Sequence, residues 1–405
     1  MNILLLTREY PPETTWGGCS IVNYNLATGL ANRGYTVHVI CQSLKGNYDV
    51  VEKGVHVHRV GSDVRAYSII SRLKYLYVSW RRFKKLKKQI DFDIIQSDHW
   101  SAEGFICLGY KKAKKVIKTQ NLGPGSLLTA KNYRSFKEKL GFLGLSMMAS
   151  LILRNADCFI CESEIDYYNV VHSLNLPPKK VKLVYNGIDT NLFKPSAVEF
   201  RETLEVSQTE KLIITVGRLE RKKGIDVIIG AIPNVLKKAP DTKFLFIGRD
   251  SETSPAGGSF KDWMADRAKD GGFTKNLIIK GFLTPTDLPN YYSASDIFVL
   301  ASREESFALV IAEAMACGLP VISTPVGIAP EISKQIKSGF DIVKIEDPNE
   351  LAHTILKSLE LSKNEIEEIK KRNRSFIEKI FSLNSWIENM ISVYSTVVNK
   401  SKRGI

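Results

Sequence analysis

Two carboxylates in the stretch EESFALVIAEAMACGLPV carry the first chemical signal of the sequence. Glu305 lies in a predicted loop, and Glu313 lies within a predicted helix that runs from about Phe307 to Cys317. The first turn of a helix has free backbone N–H groups, which favour a phosphate. Carboxylates at the same end can accept hydrogen bonds from sugar hydroxyls. The pattern therefore favours a phosphorylated, hydroxyl-rich ligand.

The surroundings of Glu313 leave an alternative open. The residues from Ala308 to Met315 are apolar except for Glu313, so this helix is predicted to be largely buried. A buried carboxylate without partners costs several kcal/mol or takes up a proton. An internal arginine or a backbone donor could therefore be the partner of Glu313 in place of a ligand.

A second charged pair follows the apolar run KLIITVG. Arg218 and Lys223 lie in the segment RLERKKG, and Gly224 lets the chain turn into a helix that begins near Ile225. An arginine fork and a lysine point charge could clamp a diphosphate. A solvated basic loop is the alternative for this segment.

A glycine pair, Gly17 and Gly18, precedes the first predicted helix at residues 21–32. Backbone without side chains can approach a ligand closely and direct N–H groups at an anion. A simple turn is the alternative.

The order of predicted elements indicates how distant loops are brought together. Apolar strand runs alternate with helical stretches in two series that divide near residues 189–210. This pattern predicts parallel sheets covered on both faces, hence an α/β fold with two doubly wound domains. Ligands are then expected beyond the carboxyl ends of the strands. The predicted strands are NILLLT, TVHVI, VHVHRV, DIIQS, KVIKT, CFICE and KLVYN, followed by KLIITVG, KFLFIG, LIIKG, DIFVL and PVISTP.

Length and composition fit a globular chain with more than one domain. At 405 residues and 44% hydrophobic residues, two or three domains are expected. We place them at residues 1–190 and 191–383, and we expect a C-terminal helix at about 384–400 to pack back on the first. The amino terminus reads as a strand and not as a signal peptide, and GFLGLSMMASLIL is shorter than the roughly 20 residues of a membrane span. The six cysteines are expected to be reduced inside the cell.

The net charge of +14 is concentrated in the first half, where residues 1–190 hold 27 Lys and Arg against 15 Asp and Glu. The most basic segment, residues 71–89, is predicted to form an amphipathic helix that carries Trp and Tyr. Such a helix can lie on an anionic membrane surface. Alternatively, its apolar stripe packs on the sheet of its own domain and the lysines are merely solvated. No recognition motif accompanies the charge, so nucleic acid is not expected as a partner. The densest segment, SRLKYLYVSWRRFKKLKKQ, has no acidic residue, and helical spacing relates Ile69, Leu73, Leu76, Tyr77, Trp80, Phe83 and Leu86.

Taken in order, these motifs resemble those of the retaining glycosyltransferase family 4. Glu305 and Glu313 match its Glu-x7-Glu signature, and GRLERKKG, which contains Arg218 and Lys223, matches its Gly-Arg-Leu-x3-Lys-Gly loop. VYNGIDTNLFKP matches the Asn-Gly-x-Asp linker, and WGG with LATGLANRGYTVHVI matches the amino-terminal glycine loop and second strand. TPVGIAPEI is similar to a segment that usually reads Gly-Gly-x-Pro-Glu, with Ile328 in place of the second glycine. The resemblance covers nearly the whole chain.

The resemblance implies a GT-B fold, in which two Rossmann-like domains face each other across a cleft. The second domain would hold a nucleotide diphosphate sugar, and the first would hold a glycan or lipid-linked acceptor. Glu313 would accept hydrogen bonds from the ribose and Glu305 would contact the donor sugar. Arg218 and Lys223 would neutralise the departing diphosphate, so that no metal or other cofactor is expected. The implied donor-binding residues are Gly17, Gly18, Gly217, Ser306, Phe307, Ala308, Leu309 and Glu313.

Two departures from the family pattern concern these residues. Its Gly-Phe-Gly reads Ser-Phe-Ala here and ends at Ala308, which still suits a helix start. A first-domain histidine that reaches the donor sugar is replaced by Asn121, or by Gln120 in the adjacent register. An amide can bind a hydroxyl but cannot become cationic. His99, after the neighbouring strand, is a second candidate for this catalytic contact.

Two functions therefore fit the sequence. One is a retaining hexosyltransferase that extends a cell-surface polysaccharide or glycolipid at the cytoplasmic face of the membrane. The other is a nucleotide-sugar-binding scaffold of a glycan-assembly complex that transfers nothing. Asn121 favours the scaffold, whereas the pair Arg218 and Lys223 favours the enzyme, because stabilising a leaving group matters when a bond breaks.

Overall fold

The computed structural model describes residues 1–14, 17–62, 69–99, 102–119, 136–196 and 200–402. The chain forms two compact units. The first unit comprises Met1–Gly187 together with Leu383–Ile405, and the second comprises Ile188–Ser382. The sequence predicts residues 190 and 383 for the same two boundaries.

An eight-stranded sheet forms the centre of the first unit. Its strands are β1 (Asn2–Leu6), β2 (Thr36–Ser43), β3 (Tyr48–Glu52), β4 (Val55–Gly61), β5 (Ile94–Asp98), β6 (Lys114–Lys118), β7 (Cys158–Cys161) and β8 (Val181–Leu183). They are ordered β3-β4-β2-β1-β5-β6-β7-β8, and all neighbours are parallel except the antiparallel pair of β3 and β4. The central strands β1, β2 and β5 are buried along almost their whole length, as expected for a sheet covered on both faces.

The second unit contains a six-stranded sheet whose neighbours are all parallel. Its strands are β9 (Lys211–Val216), β10 (Thr242–Ile247), β11 (Leu277–Lys280), β12 (Ile297–Leu300), β13 (Val321–Ser323) and β14 (Phe340–Ile342). The order β11-β10-β9-β12-β13-β14 places β9 and β12 side by side at the centre. Loops that follow these two strands therefore leave the sheet at neighbouring points.

Helices cover both sheets. In the first unit they are α1 (Gly18–Ala31), α2 (Ile69–Leu86), α3 (Phe136–Arg154) and α4 (Glu164–Ser173). In the second unit they are α5 (Phe200–Thr203), α6 (Ile225–Leu236), α7 (Phe260–Asp270), α8 (Leu288–Ala294), α9 (Leu309–Ala316), α10 (Ala329–Gln335), α11 (Pro348–Leu359) and α12 (Lys363–Ile380). The prediction of an α/β fold with two doubly wound units is confirmed.

The last helix, α13 (Leu383–Lys402), belongs to the first unit. Trp386, Ile387 and Tyr394 on this helix are buried. The Tyr394 hydroxyl donates a 2.7 Å hydrogen bond to Gln96 Oε1 in β5. The chain therefore crosses to the second unit and returns to complete the first.

Two strands and two helix starts differ from the predictions. The helix predicted at residues 21–32 begins at Gly18, so only Gly17 of the glycine pair precedes it. The sequence reading omitted β3, an edge strand that carries Tyr48 and Asp49 on the surface, and β14, which has only three residues. The helix predicted from Phe307 begins instead at Leu309, because Ala308 adopts a left-handed conformation with φ 67° and ψ 62°. The carbonyl of Phe307 accepts a 3.0 Å hydrogen bond from the amide of Ile328, which fixes this turn.

We expect Ala308→Gly to stabilise the second unit by about 1 kcal/mol, because an L-residue in the left-handed region is strained and glycine is not. Urea unfolding measures the change. Ala314→Gly is the matched control in the middle of the same helix, where glycine should destabilise by about 1 kcal/mol or more. Equal losses at both positions would show that Ala308 is not strained.

Candidate active site

The loops that follow β9 and β12 meet at the carboxyl edge of the second sheet. Gly224 makes this approach possible, because a Cβ at that position would lie 1.8 Å from the carbonyl oxygen of Ala301. Its φ of 65° is also in the region that favours glycine. Gly224 is followed directly by α6, so the segment 221–223 lies beside the residues that follow β12.

The closest charged pair at this edge is Lys223 with Glu305. Lys223 Nζ donates a 2.6 Å hydrogen bond to Glu305 Oε1, and the Ser302 hydroxyl donates to the same oxygen at 2.8 Å. The side chains are 23% and 11% exposed, so a ligand can still reach both. The stem of Lys223 packs beside Gly217. The structure thus joins three residues that the sequence predicted for the site, Gly217, Lys223 and Glu305.

Arg303 holds the two loops together, and the sequence reading missed it. Its guanidinium donates to both carboxylate oxygens of Asp226, at 2.8 and 2.9 Å, and to Glu346 at 2.8 Å. Its backbone amide also donates to the carbonyl of Lys222 at 2.9 Å. The hydrogen bond to Asp226 raises the pKa of Arg303 above its usual range. Arg303 lies two residues from Glu305 and Asp226 lies three residues from Lys223, but the sequence alone does not separate such a pair from solvated charges.

Glu313 lies in α9 with a phenol as its partner. The hydroxyl of Tyr292, a fully buried residue of α8, donates a 2.9 Å hydrogen bond to Glu313 Oε2. Burial raises the pKa of Glu313 to about 7, and the bond from Tyr292 opposes this increase only in part. Glu313 therefore has an internal partner, but this partner is a phenol and not the arginine or backbone donor that the alternative predicted. An additional donor from a ligand would favour the ionised form of Glu313.

The start of α9 offers backbone donors to an anion. Ala308 occupies the N-cap position without a side-chain hydrogen bond to the helix. Phe307 and Ala308 are buried, whereas Ser306 and Leu309 are partly exposed. A helix that begins without a capping side chain leaves N–H groups for water or for a ligand.

Arg218 takes a different position from the other predicted residues. Its side chain is 61% exposed, and its Nη1 lies 3.3 Å from Glu220 Oε2. Among the residues that the structure describes, it forms no ion pair with Glu305 or Glu313. Of the four charged residues predicted to converge, the structure therefore joins only Lys223 and Glu305 by direct contact. The assigned roles of all four stay predictions.

Three of the residues predicted for the first unit, Gly17, Gly18 and His99, lie at the carboxyl edge of its own sheet. Gly17 is the N-cap of α1 and accepts hydrogen bonds at its carbonyl from Ile21 and Ser20, while Gly18 is exposed as the first helical residue. His99 follows β5 and is buried, which lowers its pKa to about 4 and keeps it neutral at pH 7. Asn121 and the alternative Gln120 lie outside the described residues.

Two family models match the chain, and together they leave only the two ends and residues 193–196 unmatched. The model "Glycosyltransferase Family 4" matches residues 16–192, and "Glycosyl transferases group 1" matches residues 197–376. The chain belongs to glycosyltransferase family 4.

Similar proteins agree with this assignment. An uncharacterized glycosyltransferase of Methanocaldococcus jannaschii is 29% identical over 357 residues, which cover 84% of this glycosyltransferase and 84% of that protein. Sucrose-phosphate synthase from Thermosynechococcus elongatus superimposes with a TM-score of 0.81 at 22% identity, covering 98% of this chain and 99% of that one. Anabaena HepE in complex with UDP and glucose gives 0.74 at 18% identity, covering 98% and 100%. The fold of this glycosyltransferase is GT-B.

Among the described residues of this glycosyltransferase, three other features are absent: a metal-binding group, a disulfide and a membrane-spanning helix. Within the described ranges, no three His, Cys, Asp or Glu side chains are grouped so that they could hold a metal ion. Cys158 and Cys161 are buried within β7 and are not joined by a disulfide. In the same part of the chain, none of the helices has the length and apolar character needed to span a bilayer.

We expect the stability of the ligand-free glycosyltransferase to depend on pH through Glu313. Its pKa lies near 7 in the folded chain against an ordinary 4.5, so its contribution is fully present below pH 4.5 and is lost as the pH rises to 7. Glu313→Gln removes this dependence. The variant should therefore gain roughly 2 kcal/mol over the wild type between pH 4.5 and 7, as measured by urea unfolding.

Glu304→Gln is the matched control, because Glu304 is an exposed neighbour of the site that is 51% accessible. Its unfolding curve should run parallel to that of the wild type across the same pH range. A constant difference between Glu313→Gln and the wild type at every pH would contradict the raised pKa.

Proposed function

We propose that this glycosyltransferase moves a hexose-type sugar from a nucleotide diphosphate sugar to a glycan or lipid-linked acceptor, with retention of anomeric configuration and without a metal ion. The observation that carries the proposal is the contact of Lys223 with Glu305 beside the uncapped start of α9. The complex of Anabaena HepE with UDP supports a nucleotide as the ligand class.

We assign the nucleotide diphosphate sugar to the second unit because the carboxyl edge of its sheet offers both hydrogen-bond donors and acceptors. The free N–H groups at the start of α9 bind the diphosphate, because the positive end of the helix dipole is directed at it. Glu313, one turn further along, accepts hydrogen bonds from the ribose hydroxyls. The hydrogen bonds that Lys223 and Ser302 donate to Glu305 both end on Oε1, so we assign Oε2 to a hydroxyl of the donor sugar.

The leaving group is stabilised by cations of the loop that follows β9. When the bond between the anomeric carbon and the phosphate oxygen breaks, its electron pair goes to the diphosphate. Two cations can neutralise that charge. One is the partly exposed Nζ of Lys223 beside Glu305, and the other is the exposed guanidinium of Arg218. Fixed positive charge in this place performs the work that metal ions perform in other enzymes.

Retention follows the family resemblance. The acceptor hydroxyl attacks the face from which the diphosphate departs, and its proton passes to the departing phosphate, so no protein nucleophile is needed. The first unit would hold the acceptor, with Asn121 or His99 as the candidate contact to the donor sugar. A role in cell-surface polysaccharide or glycolipid synthesis at the cytoplasmic face of the membrane fits such an acceptor.

Replacing Lys223 with alanine should lower kcat at least tenfold, since the variant loses a charge-assisted contact to the departing diphosphate. Steady-state transfer rates measure the effect. Lys222→Ala is the matched control: the neighbouring lysine is 43% exposed and paired with Glu304, so we expect its kcat to stay within twofold. Unchanged turnover in Lys223→Ala would refute the diphosphate clamp.

The function itself is tested with labelled nucleotide sugars and a membrane lipid extract as the acceptor source. We expect transfer from one donor class, a product with the donor's anomeric configuration, and the same rate in the presence of a chelator. An inverted product would refute retention, and activity restored only by a divalent cation would refute metal independence. Binding without transfer or donor hydrolysis, across the full donor panel, would favour the scaffold over the enzyme.

A further inference from the structure

The outer side of α2 presents an apolar strip to solvent. The sequence predicted one stripe along this helix, but the structure divides it into two parts. Leu76, Phe83 and Leu86 are buried against the sheet, as the packing alternative predicted. Leu73, Tyr77 and Trp80 are instead 44%, 56% and 40% exposed. Because these three residues recur every three or four positions, they lie along one line of the helix.

Basic side chains surround this strip without any acidic residue in α2. Lys84 continues the line by one turn, and its Nζ lies 4.5 Å from the centre of the Trp80 ring. Lys74, Arg81 and Lys85 are exposed and follow the same helical repeat on the adjacent side. Charge and apolar surface are therefore combined on one side of one helix, which is the arrangement of interfacial helices.

Arg82 has a structural role, unlike the outward-facing basic residues of α2. Its guanidinium contacts Asp49 and His58, so it anchors α2 to the hairpin of β3 and β4. This pairing leaves the outward lysines and Arg81 as the charges available to a partner.

Exposed apolar side chains are concentrated in the unit that contains α2. Of the fourteen large hydrophobic residues that are exposed within the described part of the chain, eleven belong to the first unit. They include Met147 and Leu151 on α3, a helix that contacts α2. The same half of the sequence holds most of the net positive charge. Both properties favour a binding partner whose negative charge attracts the basic residues at long range and whose apolar interior accepts the exposed side chains at short range.

We propose that α2 docks on an anionic lipid bilayer and lies parallel to it. Leu73, Tyr77 and Trp80 enter the boundary between head groups and acyl chains, and the surrounding lysines contact lipid phosphates. A protein partner is disfavoured because three side chains in a line make too small an apolar core for a specific interface. The proposal rests on the proposed function in one respect, since docking would bring the first unit to a lipid-linked acceptor.

The charge contribution is tested by sedimentation with vesicles of equal parts phosphatidylglycerol and phosphatidylcholine. A variant with Lys74, Arg81, Lys84 and Lys85 all changed to Gln should bind at least tenfold more weakly, because each basic residue near such a surface contributes about fivefold. The matched control changes Lys237, Lys238, Lys261 and Lys269 to Gln, which removes the same charge from exposed positions of the second unit. Its affinity should change less than twofold.

The depth of insertion is tested by quenching of tryptophan fluorescence with brominated lipids in the same vesicles. The wild type should be quenched, and Trp80→Phe should lose most of that quenching while binding remains within a few-fold. The variant Leu73→Ser with Tyr77→Ser should bind at least tenfold more weakly at both low and high salt. Failure of the wild type to bind anionic vesicles, or equal losses in the two four-glutamine variants, would overturn the proposal. Quenching that persists fully in Trp80→Phe would overturn the assigned orientation of α2.

Thermal stabilisation by UDP-glucose separates this proposal from the proposed function. The α2 variants should keep any stabilisation that the wild type shows, because the residues assigned to the donor lie in the second unit. Vesicle binding without a response to any nucleotide sugar would refute the function and leave docking intact. Donor binding without vesicle binding would refute docking alone.

Discussion

Lys223 and Glu305 lie 82 residues apart in the chain, and a 2.6 Å hydrogen bond joins their side chains. This contact exists because β9 and β12 are parallel neighbours, so the loops at their carboxyl ends emerge together. Gly224 permits the close approach, and the bidentate pair of Arg303 with Asp226 fixes it. The arrangement of the site thus depends on the sheet first, on one glycine second and on a network of charges third.

The same edge retains features that do not favour stability. Glu313 is held where burial raises its pKa to about 7, and Ala308 adopts a backbone conformation that is unfavourable for a residue with a Cβ. Folded chains tolerate such features where the surrounding structure imposes them, and they are frequent at functional sites. Under the proposed function, a bound nucleotide would add hydroxyl donors to the one that Tyr292 provides for Glu313, and its diphosphate would accept from the N–H groups of α9.

Much of the architecture could be predicted from the sequence, because continuous apolar strands that alternate with helices specify parallel sheets. Edge elements such as β3 were missed because polar residues on a short strand resemble a loop. Glu305 and Lys223 could be predicted as site residues from their motifs, but Arg303 and Tyr292 could not. Their partners, Asp226 and Glu313, are remote in sequence, and only the folded chain brings them within hydrogen-bonding distance. For α2, periodicity predicted an apolar stripe but not which part of it would be buried.

The two units differ in the chemistry that they present: the second gathers charged residues at the edge of its sheet, and the first carries exposed apolar and basic side chains on α2. The donor site proposed for one unit and the membrane-docking surface proposed for the other are consistent with transfer to a lipid-linked acceptor. A crystal structure with bound UDP-glucose is the most direct measurement of the central claim. We expect the diphosphate at the start of α9 within contact of Lys223, with the ribose hydroxyls on Glu313. A nucleotide bound away from the carboxyl edge of the second sheet would contradict it.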